Sequence, residues 1–293
     1  VASVDEGCQL RAAGVRVPIL LLSPCPSWAI PAALDSDLTL TVTSAGQVED
    51  IASTCRRQNR SASIHLKLDS GMHRLGVLPA QLPLLLTRLG SHAELRLNGV
   101  FTHLAAADDP EITAAQSACF DESVKIIRNA NFAAPLIHMA SGEAARRFPT
   151  THKDMVRVGL YLYGLEPRCR SEVVQPVMSV RARINQIQHL QIGDSVGYNL
   201  TWTAKRQSKI ASIPVGYADG IDRGLSNQMS GSLLGKQVQQ VGLISMDQML
   251  FDITEVPDAE DGDIITLIGR DGERTLALAH WAELIDTITY ELC

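Results

Sequence analysis

The strongest constraint on this chain is a rhythm in its first half. Short apolar runs at residues 19–23, 38–42, 64–69, 97–103, 136–141 and 156–160 read as strands. Helix-spaced patterns lie between them. Ser44 is placed to cap a helix whose apolar face is Val48, Ile51, Ala52 and Cys55, three and four residues apart. Residues 111–130 form another helical stretch, with Glu111 favourable near its positive end. Regular strand–helix alternation predicts a parallel sheet, and roughly seven units of it predict a barrel of the (β/α)8 type.

After about Gly164 the texture changes. Short strands are expected at residues 177–188, 209–214, 238–244, 249–253 and 264–268, with a short helix over 276–287. Clusters such as Asp261-Gly262-Asp263 and Arg270-Asp271-Gly272-Glu273 mark turns between them. The expected organisation is an α/β barrel over residues 1–170 and a mainly-β domain over 171–293.

The net charge of −6 argues against a nucleic-acid surface. No apolar run approaches the ~20 residues that span a bilayer. The most apolar stretch is broken by Pro18, Pro24, Pro26 and Pro31. The first residues, Val1-Ala2-Ser3-Val4-Asp5-Glu6-Gly7, have no basic or apolar leader character. The six cysteines, Cys8, Cys25, Cys55, Cys119, Cys169 and Cys293, are scattered without a CxxC pair. They read as reduced thiols of a cytoplasmic protein, with no metal site.

Asp69, His103, Ser141 and Arg157 fall at or near strand C-terminal ends, where barrels and doubly wound sheets alike hold their ligands. Position therefore predicts a site without choosing the fold. Lys67 lies on an otherwise buried strand, where an amine is costly unless neutralised or paired; a salt-bridged lysine is the structural alternative. His103 reads equally as a hydrogen-bonded strand end, and Arg157 as a rim ion pair. Tyr198 reads as a hairpin tyrosine packing its ring, because a phenol of pKa about 10 is a poor base unless positive charge lowers it.

Five segments, in order, change that balance. They are His65-Leu66-Lys67-Leu68-Asp69-Ser70-Gly71-Met72-His73-Arg74-Leu75-Gly76, Gly99-Val100-Phe101-Thr102-His103, Met155-Val156-Arg157-Val158-Gly159, Ser195-Val196-Gly197-Tyr198, and Gly242-Leu243-Ile244-Ser245-Met246-Asp247-Gln248. Pro214-Val215-Gly216-Tyr217-Ala218-Asp219-Gly220 adds a sixth. Together they resemble the alanine racemase family, whose members use pyridoxal 5'-phosphate (PLP), over nearly the whole chain.

The resemblance implies interconversion of L- and D-alanine, supplying D-alanine for peptidoglycan, by a homodimer with shared active sites. Tyr198 would be one of two proton-transferring bases, linked through His103 to Arg157. Arg157 would face the pyridine nitrogen, and a permanently cationic guanidinium there keeps that nitrogen unprotonated. Ser141, Gly159 and Leu160 would hold the phosphate, and His103 would stack on the ring. Arg74 would meet the cofactor's phenolic oxygen and the substrate carboxylate through its planar fork. Lys67 is the candidate for carbamylation, with Gly71 allowing the sharp turn between it and Arg74. Met246, Asp247 and Tyr217 would bind substrate, and Asp108 and Arg223 would line the substrate corridor.

Ala140, Leu243, Gly197 and Asn199 stand where the family often has asparagine, arginine, serine and glycine. The family's Schiff-base lysine lies in a short N-terminal strand expected to precede Val1, and a phosphate-binding tyrosine is expected to follow Cys293. None of Lys67, Lys125, Lys153, Lys205, Lys209 and Lys236 lies in such a motif. The printed chain alone is therefore expected to be inactive. The alternatives are a related PLP enzyme acting on serine or a basic amino acid, or a catalytically incomplete fragment.

Overall fold

Apolar strands buried on both faces need helices to cover them, and the first half of the chain supplies both. In the computed structural model, which describes residues 1–133, 136–165 and 174–293, the chain divides into two units, Val1–Gly159 and Leu160–Cys293. The expected boundary near residue 170 and Cys169 lie outside the described residues.

The first unit runs α1 (Val4–Ala12), β1 (Ile19–Pro24), α2 (Ile30–Asp35), β2 (Leu38–Val42), α3 (Ala45–Gln58), β3 (Ala62–Lys67), α4 (Leu82–Gly90), β4 (Leu95–Phe101), α5 (Pro110–Asn129), β5 (Leu136–Ser141), α6 (Gly142–Arg147) and β6 (Met155–Arg157). All six strands are parallel and paired in sequence order. This is the sheet of a (β/α)8-type barrel, with six strands among the described residues where roughly seven were expected. Leu21, Leu40, Ile64, Leu66 and Val100 are almost fully buried in it.

Helix ends follow local chemistry. The Ser44 side chain accepts from the Gln47 amide and so caps α3, whose buried residues include Val48, Ile51, Ala52 and Cys55. Asp109 caps α5, accepting from the Glu111 and Ile112 amides, and Glu111 lies in the first turn as expected. The last strand stops at Arg157, short of the expected Leu160, because Gly159 turns to φ 54 and opens a 3-10 turn.

The second unit is antiparallel. Its strands are β7 (Val180–Arg183), β8 (Gln186–Leu190), β9 (Ser195–Val196), β10 (Trp202–Thr203), β11 (Ser208–Ile213), β12 (Ser230–Leu233), β13 (Lys236–Val241), β14 (Met249–Asp252), β15 (Ile264–Asp271) and β16 (Arg274–Leu276), followed by α7 (Leu278–Leu284). The main sheet has the order β16-β15-β12-β13-β14-β11-β8, with β7 on β15.

The single strand expected over 177–188 is two. The Ile184 amide bonds to the Asp263 carbonyl and the Asn185 amide to the Ser212 carbonyl, so the chain changes partner between them. Leu233, Phe251, Ile265 and Leu267 fill this unit's core. Among the described residues no helix is long and apolar enough to cross a membrane, and no cluster of metal-ligating side chains occurs. Cys8, Cys25, Cys55, Cys119 and Cys293 are free thiols, as their spacing suggested.

Candidate active site

On the first unit, the carboxyl ends of β3, β4, β5 and β6 carry polar groups, with cations at β3 and β6. Lys67 ends β3 with only 7 % of its surface exposed, and its Nζ lies 5.4 Å from the centre of the Phe101 ring. Burial lowers its pKa, and the nearby guanidinium groups of Arg74 and Arg157 lower it further against the pull of Asp69.

The loop after Lys67 is closed by its own backbone. Val77 N–H donates to the Lys67 carbonyl at 2.9 Å, and Asp69 N–H donates to the Val77 carbonyl at 3.0 Å. Inside it, Asp69 Oδ1 accepts from the amides of Gly71 (2.9 Å) and His73 (3.0 Å). Burial raises the Asp69 carboxyl's pKa, and these amides outweigh it, so the net shift is downward. Gly71 sits at φ 129 and Gly76 at φ 137. A Cβ on Gly76 would lie 2.6 Å from the Asp69 nitrogen, so the closure requires glycine. Arg74 is thereby held on a tight, exposed loop.

Arg157 ends β6 and is anchored by several hydrogen bonds. Its Nη1 donates to His138 Nδ1 at 2.6 Å, and its Nη2 to the carbonyls of Thr102 (2.7 Å) and Met139 (3.1 Å). A longer contact of 3.4 Å joins Nη2 to His103 Nδ1. Burial lowers the guanidinium to about 10, which leaves it charged at neutral pH.

His103 follows β4, half-buried. Burial, then Arg157, Arg74 and Lys67, push its pKa down to about 4, so the ring is neutral. Ser141 lies opposite Arg157 in the sheet register, and its hydroxyl caps no helix amide. Asp108 is exposed in the segment before α5.

The second unit holds the remaining candidates. Tyr198 is 69 % exposed on a turn whose neighbours Gly197, Asn199 and Leu200 have φ of 72, 58 and 49. Asparagine tolerates that left-handed geometry, so Asn199 fits where the family often has glycine. Tyr198 lines a pocket with Gly197, Ser245, Gln248 and Leu250.

Two signature segments brace each other beside it. Tyr217 N–H donates to the Ser245 carbonyl at 3.0 Å and Ala218 N–H to the Met246 carbonyl at 2.8 Å. Gly216 N–H donates to Asp219 Oδ2 at 2.9 Å, closing the short turn. The result displays the Met246 and Tyr217 side chains, 58 % and 43 % exposed. Arg223 opens the following 3-10 turn, and Asp247 is exposed next to Met246. Leu160 packs against the core of this unit, one residue beyond Gly159.

Sequence reasoning missed His138 and gave His65 no role. Both sit inside strands and resemble core residues from spacing alone. The available signal was a second polar residue on each of β3 and β5, the two strands that flank β4 and otherwise read as apolar.

These features first define a class, a two-domain α/β enzyme with its charged groups at the carboxyl rim of a parallel sheet. The comparisons narrow it. The alanine racemase N-terminal domain matches residues 1–167 and the C-terminal domain residues 177–293. The alanine racemase of a Synechocystis species is 37 % identical over all of this chain and 80 % of its own length. Alanine racemase 1 of Oceanobacillus iheyensis is 38 % identical over 99 % of this chain and 79 % of its own. The Bacillus anthracis alanine racemase structure, with bound L-Ala-P, superposes with a TM-score of 0.92 at 32 % identity, covering this whole chain and 77 % of that one. The Clostridium difficile enzyme matches equally, with a TM-score of 0.92, 30 % identity and the same coverage. The chain belongs to the alanine racemase family.

Proposed function

We propose that the rim of the first unit binds pyridoxal 5'-phosphate and that the chain's residues serve the interconversion of L- and D-alanine. The observation that carries this reading is the arrangement of Arg157, a charged guanidinium fixed by neutral acceptors. Lys67 and Arg74 add further positive charge nearby, with Asp69 opposing them. Such a donor set fits an anionic, ring-bearing ligand, and the fit is chemical as well as electrostatic. A phosphate matches the hydroxyl of Ser141 and the backbone turn at Gly159 and Leu160, and a ring nitrogen matches a cation that keeps its proton at neutral pH.

When bound, the cofactor acidifies the Cα proton of the amino acid by withdrawing electrons from it. The protein's part is geometry. Tyr198 moves a proton on one face of Cα. Arg157 would face the ring nitrogen and keep it unprotonated, which limits side reactions. His103 would stack on the ring and connect Arg157 to the phenol of a second copy. Arg74 and the Met246 amide orient the substrate carboxylate, with Tyr217 and Asp247 beside them and Asp108 and Arg223 along the corridor. A carbamylated Lys67 would give Arg74 an anionic partner.

Exposure of Tyr198, Tyr217 and Met246 on one unit suits a homodimer in which they serve a second copy's rim. The reaction would supply D-alanine for peptidoglycan in the cytoplasm.

The test is to incubate the naturally occurring enzyme, rather than this chain alone, and PLP with L-alanine or L-serine in D2O and to resolve the products by chiral chromatography. Deuterated alanine of both hands supports the reading. Preferred turnover of serine, or decarboxylation, overturns it in favour of a related PLP enzyme.

A further inference from the structure

Behind Arg157 lies a second buried polar chain. His138 Nε2 is 3.0 Å from His65 Nδ1, while His138 Nδ1 faces the Arg157 Nη1 at 2.6 Å. His65 is 4 % exposed and His138 not at all. The proton positions follow by elimination. An arginine only donates, so His138 Nδ1 must accept and its proton must sit on Nε2. That N–H then points at His65 Nδ1, which must accept in turn, leaving the His65 proton on Nε2. Each assignment forces the next.

The site is built for this. The Phe101 ring stacks on His138, with centroids 4.8 Å apart and planes 5° from parallel. The His65 ring occupies space that a Cβ on Gly99 would fill, since its Cε1 lies 2.4 Å from that position. Any side chain at residue 99 would push the ring off its acceptor position.

We propose that His65 is a positioning residue for the reaction: its Nδ1 accepts the His138 Nε2–H and so holds the His138 ring with Nδ1 aimed at Arg157. The inference rests on the reading of Arg157 as the group that faces the cofactor, and it adds the group that sets Arg157 from behind. Loss of the acceptor leaves a buried N–H unsatisfied, which favours a turned ring or a displaced guanidinium. Burial lowers the pKa of His65 to about 4 and of His138 to about 3, consistent with two neutral rings.

The experiment compares His65→Asn, whose Oδ1 replaces Nδ1 as an acceptor, with His65→Leu, which keeps bulk and loses the acceptor. Long-range 1H–15N correlation spectra of the cofactor-free protein report the His138 tautomer directly. The native protein and H65N are expected to show a single Nε2–H tautomer with slow exchange of that proton. H65L is expected to show mixed tautomers or fast exchange and, in the loaded enzyme, about a tenfold lower kcat with KM little changed. A His138 proton on Nδ1 in the native protein overturns the inference, even if neither variant folds. So does an H65L spectrum identical to the native one. The spectra need no cofactor, so a failed relay is distinguishable from a wrong reading of Arg157, which the racemisation assay reports.

Discussion

The alpha carbon of Gly216 packs so closely on Ser245 that a Cβ there would sit 2.3 Å from the Ser245 carbonyl oxygen. The Met246 carbonyl oxygen and Asp247 nitrogen would be 2.5 and 2.6 Å away, all backbone atoms with no rotamer to escape through. Gly216→Ala should therefore push apart the two braced segments that display Tyr217 and Met246. Overpacking of this kind costs about 1–3 kcal/mol. The expected outcome is a lower unfolding midpoint together with a raised KM for alanine, read by thermal denaturation and steady-state kinetics. A variant with native KM would show that the bracing does not position the substrate groups.

Tyr198 makes the opposite prediction. Its side chain is mostly exposed within its own unit, so Tyr198→Phe should leave stability within about 0.5 kcal/mol. If the phenol moves the Cα proton, racemisation should fall by about 10²–10⁴-fold. Initial rates in both directions, with the unfolding midpoint as control, check it. A full-rate Phe variant would remove Tyr198 from the chemistry.

How much of this was visible in the sequence differs by element. The α3 helix was legible because Ser44 and four apolar residues at helical spacing state it locally. β12 was not, because Ser230-Gly231-Ser232-Leu233 has no strand pattern of its own. It is a strand because β13 and β15 bond to it from both sides, a purely tertiary cause. The site divides in the same way. Asp69, His103, Ser141 and Arg157 announced themselves as polar groups at or near strand ends, and Lys67 as an amine on an apolar strand, whereas Arg74 entered only through the family resemblance. His138 was hidden because its ring is satisfied by His65 and Arg157, which lie far from it in sequence.

The buried histidines predict an acid limit to stability. His65, His103 and His138 are depressed to about 4, 4 and 3, each first by burial. A depressed folded-state pKa means that the unfolded chain binds the proton more readily. The stability these neutral rings contribute is complete above the unfolded value of about 6.5 and is lost as pH falls from there towards 4 and 3. Each unit of depression corresponds to about 1.4 kcal/mol. Denaturant titrations at a series of pH values should show stability declining steadily below about 6.5, and His65→Asn should make the decline shallower. A flat profile down to pH 4 would contradict the buried, neutral assignment.

Lys67 allows a prediction about covalent chemistry. Its amine is buried against Phe101 with its pKa lowered by burial, Arg74 and Arg157. A lowered pKa enlarges the uncharged fraction, and only an uncharged amine attacks carbon dioxide. In that step an N–C bond forms, a proton is released, and the product carbamate is an anion placed where two guanidinium groups had opposed a cation. The same electrostatics that disfavour the ammonium therefore favour the carbamate. Protein equilibrated with 13C-bicarbonate should show one bound carbamate carbon by NMR, absent from Lys67→Gln and lost reversibly on acidification, as protonation of the nitrogen releases carbon dioxide. Absence of that signal in the native protein, or its persistence in the Gln variant, would leave Lys67 a plain buried lysine whose charge must be balanced by the ligand itself.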